Sequence, residues 1–172
     1  MSALLGGSQL GNLLLGGSGG ANTLSLGDEI ALYLQGQTLS TPLNFDGAGE
    51  VNLFSTFMPD EPDLAAVVIE RGGLPPVMML QSNPFSKLDQ PVVQVRVRAS
   101  MQGYADGNAL IESIFKALHN LSEIVLNPGH ALFHLIYAMQ SPVYLGTSPT
   151  TDARQRHMWS LNFRLLWEND QR

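Results

Sequence analysis

A short run near the middle of the sequence alternates strictly between apolar and polar side chains. The apolar positions are Val93, Val95, Val97 and Ala99, and the polar positions between them are Gln94, Arg96 and Arg98. Successive side chains of a β-strand point to opposite faces of the sheet, so this pattern predicts a strand from Val92 to Ala99 with one face in the core. The opposite face of that strand is then polar and cationic.

A second alternation of the same kind lies close to the C-terminus. One predicted face carries Trp159, Leu161, Phe163, Leu165 and Trp167, and the other carries Ser160, Asn162 and Arg164. Five large apolar side chains in register predict a core strand. Shorter strand signals run from Val51 to Met58, from Leu64 to Glu70 and from His130 to Tyr137. Gly72-Gly73 and Pro75-Pro76 are expected to end the strand at Glu70; a helix over 64–70 is the alternative that periodicity leaves open.

Two segments carry apolar residues at helical spacing. A helix is predicted to begin after Ser25, whose hydroxyl is an N-cap, and to end at Gly36. Asp28, three residues after Ser25, would complete a capping box. The second helix is predicted from Asn108 to Leu121, with N-cap candidates at Asp106-Gly107-Asn108.

These elements predict an α+β fold with a mainly antiparallel sheet packed with two helices. The 172 residues suit one domain, predicted over 23–172, preceded by a Gly/Leu/Ser-rich arm over 1–22. Leu4-Leu5 and Leu14-Leu15 recur within that uncharged arm. The arm is expected either to stay mobile or to order against a neighbouring subunit through these leucines, with a membrane anchor as a third alternative.

The composition is poor in charge. Only 14% of residues are charged, against roughly 25% in typical soluble domains. Such a surface shows water uncharged polar groups, Gly or apolar patches, and apolar patches mark interfaces. A somewhat larger or better-filled core is the alternative, and self-association is the favoured expectation. The net charge of −6 disfavours general binding to nucleic acid. No signal peptide or transmembrane span is predicted, and no membrane partner is expected.

Nothing in the sequence predicts catalysis or a cofactor. His130 and His134 lie four residues apart, which on a strand separates their Cβ atoms by roughly 13 Å, too far to share a metal. Asp60, Glu61 and Asp63 crowd into one proline-rich turn, but the calcium-loop pattern is absent and a solvated turn is the expected reading. A small-ligand or cation-binding module using these carboxylates is the alternative of another class.

The polar face of the strand predicted from Val92 to Ala99 is the better candidate for a contact surface. The predicted interface residues are Asp60, Glu61, Asp63, Arg71, Gln94, Arg96 and Arg98. Arg96 and Arg98 are expected to pair with the acidic turn of a neighbouring subunit. An ordinary solvated face and a phosphate contact are the two alternatives.

The order of these motifs resembles a known family. Pro59-Asp60-Glu61-Pro62-Asp63, an apolar strand, Gly72-Gly73-Leu74-Pro75-Pro76 and the Val-Gln-Val-Arg-Val-Arg strand at 92–98 follow one another as in the tail terminator proteins of tailed bacteriophages, also called minor capsid or tail completion proteins. The resemblance covers about 24–168. The arm at 1–22 is not part of that pattern.

The resemblance implies a virion protein without enzymatic activity. Proteins of this family form a ring, typically of six subunits, at the head-proximal end of the tail tube. The ring stops tube growth, joins head-completion (connector) proteins and leaves a channel through which genomic DNA passes without specific binding. Assembly in the host cytoplasm follows from this role. A head-completion (stopper or adaptor) protein or a tail-tube subunit is the alternative within phage assembly.

Overall fold

The computed structural model describes residues 24–47, 49–78, 87–126, 132–148 and 155–168. In chain order the elements are α1 (Leu26–Gln35), β1 (Leu53–Ser55), β2 (Ala65–Met78), β3 (Lys87–Ser100), α2 (Tyr104–Leu118), β4 (Leu121–Val125), β5 (Leu132–Ala138), β6 (Val143–Thr147) and β7 (Arg156–Glu168). The predicted arm at 1–22, His130 and most of the loop after Thr147 lie outside the described residues.

All seven strands belong to one sheet with the order β1-β2-β3-β7-β5-β4, and β6 pairs with the first part of β7. Within the described chain only β1 and β2 run parallel; the other pairs are antiparallel. The predicted α+β class, with a mainly antiparallel sheet and two helices, is therefore confirmed.

Both helices lie on one face of the sheet because the apolar side chains of the strands point there. α1 packs on β1 and β2, and α2 packs on β3, β7 and β5. Trp167, also predicted to face the core, is only partly buried. The other side chains predicted to face the core from β3 and β7 are almost fully buried, namely Val93, Val95, Val97, Ala99, Trp159, Leu161, Phe163 and Leu165. Helix residues such as Ile30, Leu34, Leu110 and Ile114 complete this core.

The predicted caps of α1 are present. The Ser25 hydroxyl accepts a hydrogen bond from the Asp28 amide at 3.1 Å, and Gly36 is the C-cap. The Asp28 carboxylate does not complete a capping box; it accepts a 2.5 Å hydrogen bond from Ser55 of β1. Glu70 of β2 instead accepts from the Gly27 amide at 2.9 Å, placing a carboxylate at the positive end of the helix dipole.

The predicted end of the strand at Glu70 is wrong. β2 continues through the Gly-Gly and Pro-Pro pairs to Met78, with register shifts against β3 between Arg71 and Leu74 and between Leu74 and Val77. β1 pairs with β2 only over 66–68, so the outer edge of β2 beyond that point has no strand beside it in the described chain. Proline is tolerated at such an edge because no ladder partner needs its missing N–H.

Two further boundaries differ from the sequence prediction. α2 begins at Tyr104 after the N-cap Gly103, so the predicted caps at Asp106-Gly107-Asn108 lie inside the helix. It ends at Leu118, and Asn120 turns the chain with a positive φ of 62° into β4. β4 was not predicted as a strand, and Asn is one of the few residues that visit this left-handed region readily.

Gly107 is buried in α2, where Trp159 and Ala99 leave no room for a side chain. A Cβ at this position would lie 2.6 Å from Cη2 of Trp159 and 2.9 Å from Cβ of Ala99. Gly107→Ala should gain helix propensity of up to about 1 kcal/mol, but overpacking against the buried Trp159 typically costs about 1–3 kcal/mol. We expect net destabilisation, measured as a lower midpoint of urea unfolding. Asn108→Ala, at the next and exposed position of α2, is the control and should unfold at or above the wild-type midpoint.

Candidate functional site

The face of the sheet opposite the helices collects arginine side chains. Cross-strand pairing places the polar positions of β3 beside those of β7, as in Gln94↔Asn162, Arg96↔Ser160 and Ser100↔Arg156. We call this surface the arginine face and define it by Arg71, Gln94, Arg96, Arg98, Arg156, Ser160 and Arg164. The sequence predicted a cationic face on one strand. In the structure this face spans three strands, β2, β3 and β7.

Arg98 is buried and binds the acidic turn of its own chain. Its side chain lies under the turn, with the residue only 7% exposed. Its Nη2 donates to the backbone carbonyls of Asp60 at 3.0 Å and Pro62 at 2.6 Å. The Glu61–Pro62 peptide bond between these carbonyls is cis. Arg98 therefore fixes the path of the turn across the sheet.

Arg156, at the start of β7, binds the carboxylates of the same turn. Its Nε donates to Oδ1 of Asp63 at 2.8 Å, and its Nη1 lies 3.5 Å from Oδ1 of Asp60. The Arg156 side chain is 6% exposed, whereas that of Asp60 is 92% exposed. The Asp63 contact is thus partly screened from water, while the longer contact to Asp60 contributes little.

The electrostatic surroundings of Arg98 follow from this packing. Burial lowers the pKa of its guanidinium below the ordinary value, and the neighbouring Arg156 charge lowers it further. The nearby carboxylates of Asp60, Asp63 and Glu61 act in the opposite direction. An arginine remains charged in any case. The guanidinium groups of Arg98 and Arg156 are therefore two buried cations that lie next to each other against the turn.

This geometry revises two expectations from the sequence. Arg98 was expected to pair with the acidic turn of a neighbouring subunit, but in this structure it donates to backbone carbonyls of the turn in its own chain. Arg156, which the sequence did not single out, is the residue that engages the turn carboxylates. Because Asp60 and Asp63 already lie against Arg156, the turn is poorly suited to the alternative role of a cation site. The described residues contain no group of three His, Cys, Asp or Glu side chains that could hold a metal ion.

Gln94 organises the other half of the arginine face. Its Oε1 accepts hydrogen bonds from Nη2 of Arg71 at 2.7 Å and from Nε of Arg96 at 2.9 Å. Its Nε2 donates to Oγ of Ser160 on β7 at 2.9 Å. Two guanidinium groups thus share one neutral oxygen. No carboxylate among the described residues forms an ion pair with either of them.

The arginine face is positive although the protein is negative. Five of the nine Lys and Arg residues lie here with three of the fifteen Asp and Glu residues. This surface with its acidic turn therefore carries two net positive charges. The remainder of the chain carries eight net negative charges, which together make the total of −6.

A second exposed surface is apolar. Tyr104 of α2 packs edge-on against Tyr144 of β6 with ring centroids 5.4 Å apart, and both rings contact the buried Trp159. Met101, whose carbonyl accepts from His157 of the same aromatic cluster, and Leu145, next to Tyr144 on β6, are exposed too, and we call Met101, Tyr104, Tyr144 and Leu145 the apolar end. β6 pairs only with β7 among the described strands. Exposed apolar clusters of this kind are typical of interaction sites.

The three described histidines have local partners. His119 Nδ1 accepts from the Ala138 amide at 3.1 Å, and His134 Nδ1 lies 3.0 Å from Oε1 of Glu123. His157 bridges the Tyr144 hydroxyl at 2.6 Å and the Met101 carbonyl at 3.1 Å. These contacts connect neighbouring elements. Neither described helix is long and apolar enough to cross a membrane.

Arg98→Met tests the role of Arg98 under the acidic turn. Hydrogen bonds to charged groups contribute about 1.5–3 kcal/mol, and this substitution leaves two carbonyls beneath the turn without their donor. We expect the free energy of unfolding, measured by urea denaturation, to fall by about that amount. Arg96→Met is the matched control, because Arg96 lies on the same strand face but is less buried and makes one hydrogen bond, to an oxygen that Arg71 also serves; it should cost less, about 1 kcal/mol. Equal losses for both variants would contradict the assignment.

Comparison with known proteins gives a family for this arrangement. A family model described as bacteriophage tail terminator protein matches residues 30–169. That span contains the acidic turn, the whole arginine face, the apolar end and both helices apart from the first turn of α1.

Among solved structures, a chain from the virion of a native gene transfer agent (GTA) particle is similar, with a TM-score of 0.45 and 14% sequence identity. The alignment covers 69% of this chain and 79% of that one. No curated protein matches the sequence. The family match spans most of the chain and confirms the resemblance of its motifs: the protein belongs to the bacteriophage tail terminator family and is a structural protein of the virion tail.

Proposed function

We propose that this protein forms a closed ring, of six subunits, on the head-proximal end of the phage tail tube. The ring stops polymerisation of the tube and offers its other side to the head-completion (connector) proteins. The observation that carries this proposal is the family match over 30–169. The chain acts by binding, as a minor structural component at the head–tail interface assembled in the host cytoplasm, with no catalytic step and no cofactor.

The surface of the subunit supports self-association. A charged fraction of 14% leaves few charges to keep subunits apart, and the apolar end exposes rings and aliphatic chains that a partner would remove from water. Burying apolar surface contributes about 25 cal/mol per Å². Repeated contact between two different patches of the same subunit closes into a ring when the rotation between copies allows it.

The charge of the subunit supports passage of DNA without specific binding. Six copies with a net charge of −6 each repel a polyanion at every distance that salt does not screen. We propose that acidic or neutral side chains line the channel, so that DNA slides through it. The neighbouring subunits keep the arginine face away from the channel in this arrangement.

The leucines of the N-terminal arm complete the proposal. Leu4, Leu5, Leu14 and Leu15 belong to a segment without any charged side chain. We propose that these leucines contact a neighbouring subunit or the tail tube, because apolar side chains on a glycine-rich chain gain most from a surface supplied by another molecule.

Ring formation on tail tubes tests the proposed function. The protein alone and the protein mixed with polymerising tail-tube protein are compared by sedimentation velocity and electron microscopy. We expect a species several times the 18.7 kDa subunit mass and tubes that stop growing with this species at one end. Tubes that continue to elongate, beside a protein that stays monomeric, would overturn the proposal.

Tyr144→Glu tests whether the apolar end takes part in this assembly. A carboxylate placed there would have to lose its hydration in any contact, so we expect ring formation to require at least tenfold more protein. Val125→Glu is the matched control, because Val125 on β4 is 45% exposed and Tyr144 is 42% exposed. Normal assembly by both variants would remove the apolar end from the interface.

A further inference from the structure

We propose that Arg71 and Arg96 form a paired carboxylate-binding site, and that its ligand is an acidic side chain on the helix layer of the next copy of this chain. The helix layer comprises α1, the loop 37–52 and α2. The inference rests on the proposed ring and adds to it the two surfaces that meet between subunits.

Gln94 holds the two guanidinium groups close together. The Arg71 and Arg96 donor atoms both lie within 2.9 Å of one Oε1 atom, so the two nitrogens are separated by less than about 6 Å, the sum of the two contact distances. The amide keeps this orientation because its Nε2 is bonded to Ser160. Two like charges held this close repel each other, and an anion between or beside them relieves that repulsion.

Both arginines keep N–H donors that Gln94 does not use. A guanidinium group has five N–H donors in a planar fork, which matches the two oxygens of a carboxylate. Arg71 uses Nη2 and Arg96 uses Nε in the contacts to Gln94, so most of their donors point elsewhere. Arg71 is exposed and Arg96 is half-buried. The arginine pair therefore has unused N–H donors for an oxyanion, and solvent can reach them.

The contrast with Arg98 and Arg156 strengthens this reading. Those two arginines lie on the same face, are almost fully buried and spend their donors on the acidic turn of their own chain. The same sheet face thus carries one arginine pair with internal partners and one pair without a carboxylate among the described residues. The second pair therefore leaves its charge available to another molecule.

The helix layer supplies carboxylates of the required kind. Asp46, whose Oδ1 accepts from Gln35 at the end of α1, is exposed, as are Glu50 and Asp106. Lys116 is the basic residue of this layer in the described chain. The layer is acidic overall and therefore complements the arginine pair.

The positions of the two surfaces determine the mode of association. The arginine pair lies on the helix-free side of the sheet, and the helix layer covers the opposite side, so one copy can bind a second copy and still offer its free surface to a third. Such a contact is heterologous and generates a ring or a filament. A two-fold symmetric dimer through the arginine pair would instead oppose arginine to arginine, which is unfavourable.

Charge reversal tests the arginine pair. Arg71→Glu should raise the protein concentration needed for ring formation at least tenfold, measured by sedimentation velocity at low and at physiological salt. The double variant Ser122→Glu, Val125→Glu changes the net charge by the same amount on β4, outside both surfaces, and we expect it to assemble at the wild-type concentration. Both variant proteins should have thermal midpoints close to that of the wild type, because all three side chains are exposed.

Rescue identifies the ligand. In the Arg71→Glu background, one of the two changes Asp46→Lys and Asp106→Lys should restore assembly by reversing the pair of charges, and that same change alone should weaken assembly. The residue whose change behaves in this way is the ligand. If Arg71→Glu forms rings at the same concentration as the β4 double variant, this inference is overturned and the proposed ring remains. The inference would also be overturned if Arg71→Glu formed rings as the wild type does but lost a DNA affinity that the wild type has, because the ligand of the arginine pair would then be phosphate. A wild-type protein that forms no ring on tubes would remove the proposed function itself.

Discussion

The pairing of β3 with β7 is the interaction on which the remaining structure depends. The two strands pair from Leu88↔Glu168 to Ser100↔Arg156 in the middle of the sheet. This register places the valines of one strand beside the large apolar side chains of the other, so one continuous apolar surface receives both helices. The same register places the polar positions together on the opposite face. A shift of one residue would turn both sets over at once, which is why the core and the arginine face are specified together.

Arginines on this opposite face serve in two ways. Arg98 donates to backbone carbonyls and Arg156 pairs with carboxylates of the turn at 59–63, and the two arginines hold that turn on the sheet. Within the described part of the chain, Arg71 and Arg96 donate to the neutral amide of Gln94 and to no carboxylate. Leaving charge without a counter-charge is unfavourable for an isolated subunit, but it becomes favourable when a neighbour supplies the carboxylate. The electrostatics of one subunit therefore suit a protein that works as one of several copies.

In the proposed association, the apolar end would contribute hydrophobic contact, which has no directional preference. Tyr104, Tyr144 and His157 surround the buried Trp159 ring, so the exposed aromatic side chains are continuous with the core and are held rigidly. Rigid aromatic side chains lose little conformational entropy when a partner covers them. Apolar contact would then provide affinity, and the charge pattern would determine which surfaces of neighbouring subunits meet.

Local pattern in the sequence was sufficient for the strands around Val93 and Leu161, for the Ser25 cap and for the α+β class, because alternation and capping act over a few residues. The continuation of β2 past Gly73 and Pro75, the early start of α2 and the β4 strand depend on neighbours distant in the chain, above all Gln90 and Trp159. The sequence also identified Arg71, Gln94, Arg96 and Arg98 as one cationic surface. Only the tertiary structure divided that surface, because the turn at 59–63 folds over Arg98 and not over Arg96, and burial and partners follow from that path through space.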